Sequence, residues 1–134
     1  MAVLASKKVV GGGFSNAGDI VRVKYDFAAD TGAVADYDVL VADKSCVVEF
    51  LFADVETAAT SGGSLVVDLG KGAGGAQFWS DQAVASITLD AILGPDTAES
   101  KYVELASGEK IVLGLEAAAA TAGKFEMVFR IYSR

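Results

Sequence analysis

The sequence lacks the residues on which most enzyme and metal sites depend. It contains no histidine and a single cysteine, Cys46, among 134 residues. Without histidine, the chain has neither the commonest general base nor the commonest metal ligand. Cys46 can form no intramolecular disulfide, and a free cysteine in an apolar run is usually a small buried hydrophobe. We therefore expect no enzyme activity, no catalytic residue, no metal site and no cofactor.

Basic residues and long apolar runs are also scarce. The 11 Lys and Arg are scattered among 18 Asp and Glu, for a net charge of -7. Nucleic-acid binding needs clustered cations that displace counterions, so no direct contact with DNA or RNA is expected. Although 52% of the residues are hydrophobic, no run approaches the roughly 18 that cross a bilayer. The N-terminus also lacks the long apolar segment of a secretory signal, and no membrane partner is expected.

The sequence does contain regular alternation of apolar and polar residues. It is clearest in residues 124–132, where one parity carries Phe125, Met127, Phe129 and Ile131. Because side chains alternate faces along a strand, this segment predicts a half-buried antiparallel strand. Residues 111–116 predict a preceding strand, joined to it by a turn at residues 117–123. We expect these two strands to pair and to bury their apolar face under a second sheet.

Further alternating segments precede this pair. They are residues 21–27, 37–41, 46–56, 65–69, 84–93 and 101–105, separated by turn residues. Residues 46–56 are apolar on both parities, which is typical of a central strand covered on both faces. No amphipathic helix of useful length is evident. The count of about eight antiparallel strands predicts an all-β fold, a single-domain β-sandwich similar to a jelly roll, over residues 20–134.

Residues 1–19 predict a flexible, extended N-terminal arm. Gly11, Gly12 and Gly13 follow one another, and consecutive glycines are costly to order and pack nothing. A phosphate-binding loop is the alternative, but no Lys follows at the required spacing and no strand–loop–helix pattern surrounds it. Val9, Val10 and Phe14 are the residues with which the arm would be anchored.

One motif suggests an enzyme. Asp30-Thr31-Gly32-Ala33 matches the signature of aspartic proteases, and Ile92-Leu93-Gly94 resembles their downstream apolar element. A short dimeric protease would supply one such Asp from each subunit, and the two would share a proton. Here Ala28-Ala29 precede the motif in place of an apolar strand. We therefore interpret it as a hairpin turn, and the dimeric aspartic protease stays as the remote alternative.

Carboxylates are numerous on the predicted strands. A cation could use the oxygens of Asp36, Asp38, Asp43, Asp54 and Glu56, but their spacing follows no calcium-loop pattern. A solvated outer face explains them more simply. Glu49 differs because apolar residues flank it. It either pairs with a Lys or Arg, or marks a strand edge protected from aggregation.

Phe78 and Trp79 form a bulky aromatic pair beside the Gly-rich residues 70–76. They either plug the open end of the sandwich or anchor a partner, because aromatic residues dominate interface hot spots. The candidate interface residues are Val9, Val10, Phe14, Phe78 and Trp79. A receptor- or glycan-binding module, with Trp79 and Tyr102 as loop-end aromatics, is another possible function.

Residues 52–72, 79–93 and 106–132 resemble the small β-sandwich virion proteins of tailed bacteriophages. The similar features are a strand, a Ser-Gly-Gly turn, a strand ending in Gly, and a closing Thr-Ala-Gly-Lys followed by an alternating strand. The resemblance covers about the C-terminal two thirds of the chain and excludes the arm. It implies a capsid decoration (cement) protein, a head fibre or a tail component.

A cement role implies particular partners. The resemblance implies binding to the major capsid protein on the capsid exterior, after synthesis in the host cytoplasm, and a homo-oligomer, with a trimer favoured. The residues agree in kind, because a large apolar surface on a soluble chain generally means burial against another subunit.

Overall fold

A computed structural model describes residues 2–97 and 101–134, which form two facing β-sheets. The helical elements in this part of the chain are one helix of four residues and one 3-10 turn, and Lys101 also has 3-10 conformation. None of these is long and apolar enough to cross a membrane. The predicted all-β sandwich is confirmed, with ten strands in the described residues against the expected eight or so.

The strands are β1 (Ala2–Val10), β2 (Asp19–Asp26), β3 (Ala35–Ala42), β4 (Cys46–Ser61), β5 (Val66–Lys71), β6 (Trp79–Ala83), β7 (Ile92–Leu93), β8 (Tyr102–Leu105), β9 (Lys110–Glu116) and β10 (Ala120–Ser133). Helix α1 (Phe27–Asp30) follows β2, and a 3-10 turn (Val84–Ser86) follows β6. Sheet A has the order β1-β3-β9-β5-β6. Sheet B has the order β2-β10-β4-β7, and β8 also pairs with β4.

The strands β9 and β10 form as predicted, but the pairing expected between them is wrong. β9 lies between β3 and β5 in sheet A, whereas β10 lies between β2 and β4 in sheet B. Each strand has one apolar face, and these faces meet across the core when the strands belong to opposite sheets. The turn between them is tight, with Ala117 at φ 70°. The chain changes sheet in this way after most strands.

The strand predicted over residues 84–93 is also wrong. Its first part is the 3-10 turn, only its last two residues form β7, and the regular edge strand β6 lies just upstream. The intervening segment still hydrogen-bonds to β4, since Ala59 N–H donates to the Ile87 carbonyl at 2.9 Å and Val55 N–H donates to the Ala91 carbonyl at 3.0 Å. Asp90 interrupts the regular ladder with φ 64°.

The N-terminal segment is extended as predicted, but it is not a free arm. β1 pairs with β3 in parallel, so the segment is part of the sandwich. Leu4 and Val10 are each 1% exposed in the core. Gly11 continues this attachment with φ 110°, and a Cβ there would lie 2.3 Å from the Lys44 carbonyl oxygen. The glycines therefore permit a close backbone approach, where we had expected flexibility.

The core is centred on aromatic side chains from both sheets. Phe50 of β4 has its ring centroid 5.4 Å from that of Trp79, edge to face, and 5.5 Å from that of Phe78. Phe78 and Trp79 are both 0% exposed. The Trp79 indole N–H donates to the Gly94 carbonyl at 2.9 Å, so its polar atom is satisfied inside. Of the two interpretations of this pair, the structure supports the plug, and the prediction that they form an interface is wrong.

Replacing Trp79 should therefore damage the fold. We expect Trp79→Ala to lower the free energy of unfolding by about 3–5 kcal/mol, because a buried indole leaves a cavity. The matched control is Tyr102→Ala, whose ring is 49% exposed and whose loss should cost less than about 1 kcal/mol. Denaturant unfolding measures both. Equal stability of the two variants would contradict the core assignment.

Candidate interaction surface

One side of the sandwich, where β1 and β2 are the edge strands of their sheets, is partly open. β1 follows β3 at both ends, but its register shifts between Val3 and Lys8. In that gap β1 reaches across to the other sheet. The Ser6 hydroxyl donates to the Lys24 carbonyl at 2.8 Å and accepts from the Lys24 N–H at 2.7 Å. Ser6 thus closes the sandwich at the level of Lys24.

Beyond Ser6 the two strands diverge and leave a groove of about 380 Å³. We call it the edge groove, and its lining residues are Lys8, Val9, Phe14, Ile20, Val21 and Arg22. Val9 is 55% exposed and Ile20 is 47% exposed. The groove is therefore a surface depression that both apolar and cationic side chains line.

The predicted interface residues separate into two groups. Val9 and Phe14 both line the edge groove, so the structure brings these two together at an accessible site. Val10 points into the core with Phe78 and Trp79, and it cannot contact a partner. Ile20 and Arg22 were not among the candidates, because their alternation within a strand showed nothing about a neighbouring groove.

The Asp-Thr-Gly motif has a structural function. Asp30 ends helix α1 and is 9% exposed. Its Oδ1 accepts the Ala5 N–H at 2.7 Å and its Oδ2 accepts the Asp26 N–H at 2.9 Å. A Cβ on Gly32 would lie 2.1 Å from the Ala120 carbonyl oxygen, so this position requires glycine. The motif lies in the crossover between β2 and β3, which belong to different sheets, and the predicted hairpin turn is wrong.

The carboxylates considered as cation ligands, and judged more simply a solvated face, include three with other partners. Asp38 forms an ion pair with Lys110 at 2.9 Å, Asp43 accepts the Gly12 N–H at 2.7 Å, and Glu56 pairs with Lys24 at 3.2 Å. Glu49 accepts the Tyr132 hydroxyl at 2.8 Å and lies 3.8 Å from the Lys101 ammonium. Pairing with a lysine, one of the two interpretations of Glu49, is confirmed.

A different acidic group is brought together on the outer face of sheet A. Carboxylate oxygens of Asp68, Asp81 and Glu116 all lie within 4.8 Å of one another. The hydrogen bond to Asp68 raises the pKa of Glu116, and the negative charge of Asp68 raises it further. Burial and the charges of Asp81 and Asp36 act in the same direction.

These contacts satisfy the acidic group internally. Asp68 accepts the Asp81 N–H at 2.7 Å, and its interaction with Glu116 raises the pKa of that carboxyl and so favours the protonated form. Three carboxylates at this spacing could hold a divalent cation, and a proton shared between Glu116 and Asp68 is the other way to relieve their repulsion. Sequence reasoning missed this group because its members come from three strands that only sheet formation brings together.

Removing the Asp30 carboxylate should loosen β1. We expect Asp30→Ala to lower the free energy of unfolding by about 1–3 kcal/mol, since two part-buried backbone amides lose their charged acceptor. Hydrogen exchange at the Ala5 amide should accelerate more than exchange in β4. Asp54→Ala is the control, because Asp54 is exposed on β4 and its loss should change stability by less than about 0.5 kcal/mol. An unchanged Ala5 amide would contradict the role of Asp30.

Glu116→Gln should stabilise the protein in a pH-dependent way. A raised folded-state pKa means that the stabilisation from protonated Glu116 is complete below its unfolded pKa and is lost as the pH rises through the folded pKa. Gln keeps the donor and removes the charge, so the thermal midpoint should rise at about pH 7.5 and much less at about pH 4. Asp54→Asn, measured likewise, should show little pH-dependent gain. A larger gain at the acid pH would contradict the shared proton.

Comparison with known proteins gives a structural relative. No protein-family model matches the sequence, and a search of curated proteins gave no match. Among solved structures, the chain is similar to one in the capsid of Ralstonia phage GP4, with a TM-score of 0.64 and 13% sequence identity. The match covers 94% of this chain and 90% of that one. The two chains therefore share the sandwich fold from end to end.

Proposed function

We propose that this chain is a structural protein of a tailed-phage virion, and specifically a decoration (cement) protein that binds the assembled capsid. The observation that carries the proposal is the match to a chain of the Ralstonia phage GP4 capsid over 94% of this chain. In return 90% of that chain is covered, so the likeness extends over most of both chains.

The side chains favour a role in binding over one in catalysis. The carboxylate of the protease-like motif is committed to two backbone amides, at 2.7 and 2.9 Å. An aspartic protease needs its carboxyl groups free to share a proton with each other and to activate water. The edge groove, in contrast, offers accessible apolar side chains to another polypeptide.

The mechanism would be thermodynamic linkage. A protein that binds the assembled shell and not its separate subunits stabilises the shell by mass action, by about 2.7 kcal/mol per site at a hundredfold excess over Kd. We propose the major capsid protein and further copies of this chain as partners, with a trimer as the oligomer. Several linked copies would add avidity on the capsid exterior. The chain would be made in the host cytoplasm.

Two other functions use the same fold. A head-fibre or tail component would differ in its position on the virion. For a glycan-binding module, Trp79 and Tyr102 were the aromatic residues proposed to contact the glycan. Trp79 is buried and cannot do so, whereas Tyr102 is 49% exposed.

The test is reconstitution on particles that lack the protein. We expect the added protein to sediment with purified shells and to raise the temperature at which they release DNA, whereas an equal amount of serum albumin should do neither. A gold-labelled antibody should decorate heads. Labelling of tails would contradict the decoration role, and absence of the protein from purified virions would contradict the virion role altogether. Deletion of residues 1–13 is not a suitable variant, because it would remove β1 from sheet A.

A further inference from the structure

The edge groove exposes unpaired backbone groups of β2. The Lys24 N–H points away from β10 to Ser6, and the Asp26 N–H points the same way to Asp30. The register between β2 and β10 is unbroken over the whole of β2. Backbone groups of an antiparallel strand alternate sides, so the N–H and C=O groups of Ile20 and Arg22 also point away from β10. They face the groove.

The two halves of this edge differ in what occupies them. At Lys24 and Asp26, the side chains of Ser6 and Asp30 fill the positions of a neighbouring strand. At Ile20 and Arg22, β1 has returned to β3, since Lys8 is in register with Leu40. A free edge of this kind is a template on which another extended segment can pair.

The charges around the groove indicate which side chains a segment paired with this edge should carry. The net charge of the chain is -7, yet Lys8 lines the groove and forms no ion pair with the described residues. Arg22 also lines the groove, and its guanidinium lies 3.0 Å from Glu126. A strand with acidic side chains would meet these cations, and alternate apolar side chains would contact Val9 and Phe14.

A second copy of this chain is a poorer occupant. Pairing of β2 with β2 of another copy is isologous, so one cationic edge would face a second cationic edge. Like charges facing each other across strands are destabilising. Charge complementarity therefore favours an acidic segment of a different polypeptide.

We propose that the edge groove accepts an extended acidic segment of a partner protein, which adds to sheet B as a strand beside Ile20 and Arg22. The proposed virion function supplies only the identity of the partner, a capsid subunit. The strand addition itself concerns the isolated chain and can be tested without a capsid.

The probe is a short, end-capped peptide in which Glu alternates with Val, and its partner probe carries Lys in place of Glu. We expect the acidic peptide to shift the amide resonances of Ile20 and Arg22 and to slow their hydrogen exchange. The affinity should fall as salt is raised, because the attraction is screened. The Lys peptide should bind at least about tenfold more weakly.

Two pairs of variants distinguish the contribution of backbone hydrogen bonds to the peptide affinity from the contribution of charge. Arg22→Pro removes an edge N–H that the β2–β10 ladder does not use, and Arg22→Thr keeps that N–H while removing the same charge. We expect Pro to weaken the acidic peptide about tenfold more than Thr does. At the exposed Val9, Val9→Asp should weaken the acidic peptide and Val9→Lys should not. This second pair keeps the test valid if Arg22→Pro fails to fold.

Equal binding of both peptides, or equal affinity of the Val9 variants, would overturn the proposal. Failure of the acidic peptide to bind would also overturn it. If the protein associates with itself, and if Arg22→Thr and Val9→Asp change that self-association, the groove would instead bind a second copy of this chain. Shell binding that survives Val9→Asp would leave the virion function standing and reject the strand addition, so the two failures are distinguishable.

Discussion

The buried carboxylate of Asp30 joins the two sheets at the one side where the sandwich would otherwise be open. One oxygen accepts an amide of β1 in sheet A and the other accepts an amide of β2 in sheet B. A charged acceptor suits this position, because hydrogen bonds to an ionised group are stronger than neutral ones. The tyrosines packed nearby depend on the same turn, since the Tyr25 hydroxyl donates to the Thr31 carbonyl at 2.6 Å.

This attachment also decides where the surface is incomplete. β1 must leave β3 so that Ala5 can reach Asp30 and Ser6 can reach Lys24, and it must return to β3 at Lys8. The return opens the edge groove and leaves part of β2 without a neighbouring strand. The other edge of sheet A is managed differently, because β6 is short and carries the polar residues Ser80, Asp81 and Gln82, which discourage further pairing. The attachment that stabilises the fold thus also leaves a free stretch of strand edge beside it.

The misassigned residues show why local patterns misled the interpretation. Phe78 and Trp79 follow a Gly-rich segment, which suggested an exposed loop, yet both are fully buried against Phe50. The Asp-Thr-Gly tripeptide has the composition of a catalytic loop, but its environment makes it a bridge between sheets. In each case the chemical character of the residues was recognised, but the residues that surround them were not predicted. Those surrounding residues lie far away in the sequence.

Alternation by itself determined the strand-rich class of this protein and the inward residues of β9 and β10, and the apolar run of residues 46–56 indicated the central position of β4 in its sheet. These features depend on a period of two residues, which is local and visible in a linear sequence. Only the tertiary structure decided which sheet each strand joins, where β1 lies and which carboxylates meet on the outer face. Sheet partners are selected by long-range packing and register. The alternating pattern of a strand with one apolar face does not specify which strand will lie beside it.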